Sequence, residues 1–599
     1  MGEIVFLGLN LDAWITLITV ITVLAVLLLT KVRTDAVFLI AIGVLCVTGV
    51  LDARETCSGF SSSAVVVTGV LTVVVTGLHE TGVLHWIQKH IFGLPENYPK
   101  ALLRMMLPVS FLSAFLNNTT VTALFEGVVK QWARKLGTAA SKFYIPLVYA
   151  VLMGGVCTLV GTPSNIVISD LYEEATGRDM NMFGPLIPGV ASLIVGIAFI
   201  LLTRRWLPER KAPEAAFGAT LDYTVELLVP SDNPNIGKTL GEAGLIKVKG
   251  GSLIEIYHFD DVRSPVSEDE YIMGGDHLVY AGRIEEILEM KATHELAVAD
   301  HHIFSVKETE GRNSQLRTAS VPYGSRLIGK TIGDSTLERD YNLILVAVAR
   351  RGERIEAVPR EVVLRMGDTL LFECPRKMKA YSERLSAMLQ FSEFQEVVET
   401  GPGTIVSALI MTAMMLLTAL NVVSLLEGTV LAALAMLVCR CCSIGKVMDS
   451  LNWNVLMGMA GSIVLGTAIT KTGIAESAAH GILGLCGAHP VAVMVAVCIV
   501  ATLVTQLVMN VAVGAMFFPI MFEAATQIGY DPLPFLIALM IAVNTSFATP
   551  IGAPANMMVY GPGGYRFSDF MRIGIPLTLI VTVTGIAVAC LVFPLTPLP

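Results

Sequence analysis

The sequence Gly-Gly-Val-Cys-Thr-Leu-Val-Gly-Thr-Pro-Ser-Asn at residues 154–165 decides the fold, because its last part has a second copy far along the chain. Gly-Thr-Pro-Ser-Asn (161–165) matches Gly-Ala-Pro-Ala-Asn (552–556), 391 residues later. Other landmarks repeat at the same offset or one residue from it: Thr81-Gly82-Val83 with Thr472-Gly473-Ile474, Pro99 with Pro490, and Asn118 with Asn510. An offset that varies by only one residue over about 85 residues indicates an internal duplication.

Both copies lie in long stretches with almost no charged residue. Of the 599 residues, 54% are hydrophobic and 15% are charged, whereas about a quarter of an ordinary soluble domain is charged. Apolar runs near the length that a bilayer requires predict ten spanning helices, near residues 12–30, 34–51, 61–78, 143–163, 182–203, 403–420, 423–439, 452–470, 533–551 and 573–594. The chain is therefore predicted to be a multi-pass integral membrane protein in a lipid bilayer. Its net charge of −9 argues against nucleic acid as a partner.

Two further apolar stretches, 100–133 and 489–527, are too broken for one span, and each has an Asn at its centre. We predict a re-entrant hairpin in each. Five spanning helices plus one hairpin per half give an odd number of crossings. The halves 1–204 and 401–599 are therefore expected to have opposite orientations, which is the inverted repeat of secondary transporters. Lys and Arg gather on the cytoplasmic side, and their distribution places the segment between the halves in the cytoplasm, with the plasma membrane as the expected location.

The breaks in the apolar pattern fall at equivalent places in the two halves. Pro lacks an amide donor and Gly allows unusual backbone angles, so Gly-Thr-Pro and Gly-Ala-Pro interrupt a helix at membrane depth. Unpaired backbone groups are tolerated there only where they line a cavity or a ligand. Their carbonyls, with Asn and Thr oxygens, suit a hard cation such as sodium, while amides at half-helix N-termini suit an anion. The alternative is that these residues are packing kinks held by interhelical hydrogen bonds.

The charged segment between the halves contains a second, independent duplication. Residues 216–298 and 314–392 repeat at an offset of 92 residues. The matching landmarks are Ile236-Gly237-Lys238-Thr239 with Ile328-Gly329-Lys330-Thr331, and Gly275-Asp276 with Gly367-Asp368. Alternating apolar runs predict strands, and helices are predicted near 285–290 and 376–387. The expected fold is thus an α-helical membrane protein with an inserted cytoplasmic α+β tandem domain.

The motifs of the two flanks resemble those of the divalent anion:sodium symporter family, within the ion transporter superfamily. The resemblance rests on Ser-Ala-Phe-Leu-Asn-Asn-Thr (113–119), on residues 154–165, and on Thr-Pro-Ile-Gly-Ala-Pro-Ala-Asn-Met-Met-Val-Tyr-Gly (549–561). It implies a homodimeric, sodium-coupled transporter of sulfate or of di- and tricarboxylates that works by elevator-type alternating access. It also implies that the chain is not an enzyme and has no organic cofactor.

The same resemblance implies which residues form the site. We expect the anion to contact Asn117, Asn118, Thr119, Ser164, Asn165, Met509, Asn510, Val511, Pro554 and Asn556. We expect sodium to be bound by Asn118, Thr119, Gly161, Thr162, Asn165, Asn510, Thr549, Gly552 and Asn556. The second tip, Met509-Asn510-Val511, keeps only the Asn of the family's Ser-Asn-Thr motif, and Ala553 stands where the family often has Thr. These departures remove hydroxyl groups from the second sodium site.

Each domain of the insert resembles the TrkA-C regulatory domains of potassium channels and potassium-uptake proteins, through its Gly-Lys-Thr step and its Gly-Asp-x-Leu turn. The resemblance implies that the domains bind a small-molecule ligand. Tandem copies inside such a transporter are typical of sulfate-transporter-like members, so sulfate is the favoured substrate. Three alternatives remain open. They are a di- or tricarboxylate carrier, a cation/proton antiporter or arsenite-type exporter, and an ion channel gated by the TrkA-C domains.

Overall fold

The computed structural model describes most of the two apolar flanks and part of the charged segment between them. The described residues are 10–29, 34–83, 86, 97–210, 224–248, 251–258, 261–263, 266–282, 291, 293–304, 314–321, 325–331, 337, 343–350, 353–355, 359–375, 389–391, 401–487 and 489–597. Within them, the flanks are built from helices, and the segment between the flanks is built mainly from strands.

The described part of the first flank folds into α1 (Leu11–Leu29), α2 (Thr34–Val47), α3 (Ala53–Ser61), α4 (Ser63–Glu80), α5 (Tyr98–Ser113), α6 (Asn118–Lys135), α7 (Ser141–Gly155), α8 (Pro163–Thr176) and α9 (Leu186–Leu202). Local sequence explains several helix starts. The side chains of Ser62 and Asn97 accept backbone N–H bonds as N-caps of α4 and α5. Pro163 opens α8, where its missing amide has no intrahelical partner to lose.

The second flank folds into α10 (Pro402–Ala419), α11 (Leu425–Val438), α12 (Ile444–Ser450), α13 (Trp453–Lys471), α14 (Ile474–Cys486), α15 (Pro490–Thr505), α16 (Asn510–Gln527), α17 (Leu533–Val543), α18 (Pro554–Tyr560) and α19 (Phe567–Val592). Pro again opens helices, at α10, α15 and α18. The two flanks pack into each other: α13 contacts α2 and α3, α16 contacts α8, and α19 contacts α9. Neither flank is therefore a separate globular unit.

Helix length accounts for only part of the ten predicted spans. Three of the described helical stretches are long and apolar enough to cross a membrane: Ala53–Glu80, Pro402–Ala419 and Phe567–Val592. Val455–Lys471 and Ile474–Cys486 would form a fourth, with a 70° bend between them. The other apolar helices are shorter: Leu11–Leu27, Asp35–Val47, Leu186–Leu202, Leu425–Val438, Pro490–Thr505 and Leu533–Val543.

Two of the predicted spans are too long, because the helix ends before the predicted break at 161–165 in one half and at 552–556 in the other. The span expected over 143–163 ends at Gly155, and the span expected over 533–551 ends at Val543. In both places the chain continues without helix until the next Pro starts a new one. The stretches expected to form hairpins do fold as helix pairs, α5–α6 and α15–α16, joined by short turns at residues 114–117 and 506–509.

The segment between the flanks forms two antiparallel sheets in the described residues. The first contains β1 (Thr224–Leu228), β2 (Lys247–Val248), β3 (Gly251–His258), β4 (Asp261–Arg263), β5 (His277–Gly282) and β6 (Ala297–Phe304), ordered β2-β3-β5-β1-β6 with β4 beside β3. The second contains β7 (Ser314–Ser320), β8 (Ile344–Arg350), β9 (Glu353–Arg354), β10 (Thr369–Pro375) and β11 (Gln390–Phe391), ordered β11-β7-β10-β8-β9. The helices expected near 285–290 and 376–387 lie outside the described residues.

The two sheets share a tight turn at the positions that the sequence repeat aligns. Gly275 and Gly367 precede β5 and β10 with φ of 92° and 79°, a left-handed conformation that favours glycine. The following Asp is buried in both. Asp276 contacts His258 Nδ1 at 2.8 Å, whereas Asp368 holds Arg350 through two bonds of 2.7 Å. The Asp368 carboxylate raises the pKa of the Arg350 guanidinium, and this ion pair fixes the second turn.

The second sheet touches the membrane part of the chain at the end of α18. A Cβ at Gly561 would lie 3.3 Å from the Cβ of Ser320 and 3.7 Å from the Cα of Gly367. A Cβ at Gly367 would in turn lie 3.4 Å from the ring of Tyr560. The contact is this close because Gly on both sides removes the side chains that would separate the two backbones.

Candidate substrate and cation site

The two helical hairpins end in tips with the same hydrogen bond. In the first, Ser113 Oγ donates to Asn118 Oδ1 at 2.8 Å. In the second, Thr505 Oγ1 lies 2.9 Å from Asn510 Oδ1 and 2.6 Å from the Val543 carbonyl oxygen, so these two acceptors share its single proton. Each hydroxyl sits at the end of one helix and each Asn at the start of the next. The bond therefore closes the tip and holds the amide oxygen in a fixed direction.

The two helix breaks are tied to the tips by a Thr in each half. The hydroxyl of Thr158 donates to the carbonyl of Ala114, and that of Thr549 donates to the carbonyl of Gln506. The same hydroxyls accept from the amides of Gly161 and Gly552, at 3.2 and 3.0 Å. Each break is thus closed by one Thr hydroxyl that serves as donor and as acceptor.

A cavity of about 230 Å³ lies where the tips and the breaks meet. The predicted residues that line it are Asn117, Asn118, Thr119, Thr162, Ser164, Met509, Asn510, Val511 and Pro554. Thr68, Thr72, Thr120, Ser450 and Asn452 add further polar side chains. None of the described lining residues carries a charge. A small anion in this cavity would be held by neutral donors and by any cation that accompanies it.

The other predicted site residues lie behind the cavity wall. They are Gly161, Asn165, Thr549, Gly552 and Asn556, and the cavity lining includes none of them. Asn165 Nδ2 donates to the Thr158 carbonyl at 2.9 Å, and Asn556 Nδ2 donates to the Thr549 carbonyl at 3.0 Å. Both Asn side chains are fully buried. Their amide nitrogens stabilise the breaks, and neither Asn lines the cavity.

Backbone and side-chain oxygens lie close to two glycines behind the first tip. A Cβ at Gly155 would lie 2.7 Å from Asn118 Oδ1 and 3.3 Å from the Gly161 carbonyl oxygen. A Cβ at Gly161 would lie 2.8 Å from the Ser113 carbonyl oxygen. Glycine at both positions lets these oxygens approach the backbone closely. Oxygen ligands of this kind suit a hard cation.

The second half has a different set of oxygens at the equivalent place. A Cβ at Gly552 would lie 2.8 Å from the Thr505 carbonyl oxygen and 3.0 Å from that of Gln506. The offset of 391 residues puts Ser546 where the first half has Gly155. Ser546 Oγ and Asn556 Oδ1 are buried and have no hydrogen-bond partner in the described structure. Buried polar atoms are normally paired, so these two oxygens also fit a bound cation.

Two buried amides in the second half were not predicted from the sequence. Gln506 Nε2 donates to the carbonyls of Thr502 and Thr545, at 2.9 and 2.8 Å, and Gln506 Oε1 accepts from the amide of Ala548. Asn544 lines the cavity and bonds to Ser164 and Asn510. In the first half, Ala114 corresponds to Gln506 and Met153 corresponds to Asn544. The two halves therefore differ at both positions, with an amide side chain in the second half alone.

Comparisons with known proteins indicate a membrane transporter. The family model for CitMHS, described as citrate transporter, matches residues 24–484 and 459–598. The "Uncharacterized transporter sll0640" of Synechocystis sp. is 30% identical and the match covers 97% of each chain. The "Putative sulfur deprivation response regulator" of Chlamydomonas reinhardtii is 28% identical over 94% of this chain and 98% of its own. "Sodium/sulfate cotransporter 2" of the same alga is 22% identical over 87% of this chain and 83% of its own.

A solved structure, the YdaH transporter of Alcanivorax borkumensis, is 13% identical and matches with a TM-score of 0.41 over 98% of this chain and 99% of that chain. The prediction of a membrane transporter of the ion transporter superfamily is confirmed by the family match. The chain belongs to the CitMHS family of citrate transporters.

Proposed function

We propose that this transporter couples sodium to the uptake of a divalent anion, with sulfate as the favoured substrate. In this proposal residues 1–204 and 401–599 form an inverted repeat, and the cavity between them moves by elevator-type alternating access in a homodimer. The domains at 216–298 and 314–392 regulate the movement from the cytoplasm. The observation that carries the proposal is the uncharged cavity, which hydroxyl and amide side chains help to line, with a group of closely spaced oxygens behind each hairpin tip.

The absence of charge in the described cavity lining supports a coupled anion rather than an anion alone. A dianion that leaves water loses a large hydration energy. Hydrogen bonds from Ser, Thr, Asn and backbone amides replace part of the lost hydration. Cations bound in the same water-poor site supply the remaining attraction. Sulfate in particular is supported by relatives that are named sodium/sulfate cotransporters.

The residues that line the cavity also help to choose among the alternative functions. A cation/proton antiporter requires a titratable group in the transport path, and no carboxylate lines the cavity in the described structure. Glu126 and Glu523, the acidic residues closest to the tips in sequence, are not part of the lining. The second candidate is a sodium-coupled di- or tricarboxylate transporter, which the citrate family match favours.

One uptake experiment tests the proposal and separates the two substrates. Purified protein in liposomes should accumulate radiolabelled sulfate when sodium is higher outside, and should stop when potassium replaces sodium. Unlabelled sulfate should compete, whereas a tenfold excess of succinate or citrate should not. Competition by the carboxylates with no sulfate uptake would favour the second candidate. Uptake that is indifferent to sodium but driven by a pH gradient would refute the sodium coupling.

Ser546→Ala should weaken sodium binding without destabilising the fold. Ser546 Oγ has no partner in the described structure, so its removal relieves a buried, unpaired group that costs about 1–3 kcal/mol. We expect the melting temperature without sodium to be unchanged or higher. Loss of one cation ligand should raise the sodium concentration for half-maximal uptake about tenfold, which corresponds to about 1.4 kcal/mol.

Ser462→Ala is the matched control for that variant. Ser462 is also fully buried in the second flank, but its hydroxyl donates to the Met459 carbonyl of its own helix and does not line the cavity. Its half-maximal sodium concentration should equal that of the wild type. An unchanged sodium dependence in Ser546→Ala would show that Ser546 is not a cation ligand.

A further inference from the structure

The side chain of Asn544 makes hydrogen bonds to residues from both halves of the chain. It is 1% exposed and lies directly after α17. Its Nδ2 donates to the Met540 carbonyl at 2.7 Å and to Asn165 Oδ1 at 3.0 Å. Its Oδ1 accepts from Ser164 Oγ at 2.9 Å and from Asn510 Nδ2 at 3.3 Å. These four bonds use the whole hydrogen-bonding capacity of a primary amide.

The network determines how both amides are oriented. The Met540 carbonyl can only accept, so the nitrogen of Asn544 must face it and the oxygen must face Ser164 and Asn510. Asn510 can then present only its nitrogen to Asn544, because the opposite orientation would place two oxygens against each other. The Asn510 oxygen is thereby turned toward the Thr505 hydroxyl, 2.9 Å away, and shares the single proton of that hydroxyl with the Val543 carbonyl.

Among the residues that the structure describes, this linkage occurs once, although the two halves are duplicates. The residue equivalent to Asn544 in the first half is Met153, which has no amide. The sulfur of Met153 instead packs against Gly196 on α9. The first tip, at Asn118, therefore has no equivalent amide at this position, and the Asn544 network is specific to the second tip.

We propose that Asn544 is a positioning residue that couples cation binding to anion binding at the second tip, an inference that rests on the sodium-coupled function proposed above. With its amide fixed, Asn510 directs its oxygen to the cation side and one N–H to Asn544, and leaves its second N–H for an anion in the cavity. A cation bound to the oxygen then orders the same side chain that binds the anion. Asn544 also holds Ser164, from the other half, in this arrangement.

The test measures sulfate binding rather than transport. Equilibrium binding of radiolabelled sulfate to the purified full-length protein is measured in saturating sodium and with choline in place of sodium. In the wild type, sodium should lower the sulfate Kd at least about tenfold, within the usual range for coupled sites. In Asn544→Leu the factor should fall below about threefold, because the Asn510 amide is free to turn.

Two further variants keep the test decisive. Asn544→Ser retains a hydroxyl that can bond the Met540 carbonyl four residues back, but it is too short to bridge Ser164 and Asn510. It should fold and lose the same coupling. Met153→Leu, at the equivalent position of the first half, conserves volume and should keep the wild-type factor.

The variants test the role of Asn544, whereas the wild-type protein tests the sodium coupling. A wild-type factor in a folded Asn544→Leu or Asn544→Ser protein would overturn the role of Asn544, even if its melting temperature had fallen. Wild-type protein that binds sulfate equally with and without sodium would refute the proposed sodium coupling itself, and the inference with it.

Discussion

Asn118→Ala and Asn510→Ala should each reduce sodium-driven anion uptake to background while the protein still folds. Each Asn begins a helix at a hairpin tip, lines the cavity and directs its amide oxygen to a neighbouring hydroxyl. A hydrogen bond to an ion contributes about 1.5–3 kcal/mol, so its loss lowers affinity about tenfold to a hundredfold. If the amide contacts both the cation and the anion, its substitution removes the contribution to cation binding and the contribution to anion binding together.

Uptake of labelled sulfate into liposomes that contain equal amounts of monodisperse protein measures the effect. Asn181→Ala is a suitable control, because Asn181 is an exposed Asn whose Oδ1 accepts from the amide of Phe183 in a loop away from the cavity. It should transport at the wild-type rate. Wild-type uptake by either tip variant would remove that tip from the site.

The parts of the site that both halves share could be predicted from the sequence. A broken helix at membrane depth requires Gly, Pro and polar residues in a fixed order, and the duplication shows that order twice. For this reason the tips at Asn118 and Asn510 were expected, and the structure brings both to one cavity. Hydropathy alone was less informative, since the apolar residues Val156, Leu159 and Val160 extend the predicted span beyond the end of α7 at Gly155. The hydrogen bonds of Thr158 mark the break, and one of them depends on a carbonyl 44 residues away.

The parts in which the halves differ could not be predicted by the same comparison. In the alignment of the two halves, Asn544 corresponds to Met153 and Ser546 corresponds to Gly155. A search for residues that both halves share therefore misses Asn544 and Ser546. Ser546 restores a hydroxyl near the second tip, where Met509 and Val511 had suggested a loss. A polar residue that appears in only one copy of an apolar segment is therefore the signal that would have found both.

The contact between the insert and α18 also left no pattern in the sequence. Besides the ring of Tyr560, it is made by Ser320, Gly367 and Gly561, which are small residues common in turns and are separated by up to 241 residues. Its position is nevertheless informative. The first residue of α18, Pro554, lines the cavity, and Gly561 directly follows its last residue. A helix of seven residues, about 10 Å long, thus separates the insert from the cavity.

A disulfide across this contact should stop transport. In Ser320→Cys/Gly561→Cys the two Cβ atoms would lie 3.3 Å apart, close to the spacing of about 3.5–4.5 Å in disulfides. Gly561 has φ of −66°, so a side chain is allowed there. The second domain's turn is held by the Asp368–Arg350 pair, so it should act as a rigid anchor on α18. If the cavity must move relative to the insert, the oxidised protein should lose at least about tenfold in uptake, and a reductant should restore it.

The single variants Ser320→Cys and Gly561→Cys, with the exposed native Cys46, Cys57 and Cys439 replaced by Ser, should transport normally under both conditions. They separate the effect of the crosslink from that of the substitutions. Full uptake by a completely crosslinked protein would mean that the insert moves together with α18, and a role in assembly would then explain the contact better than regulation. An arrest that the reductant reverses would place the control of transport at the end of α18, because only a difference between the docked and released states can bias the cycle.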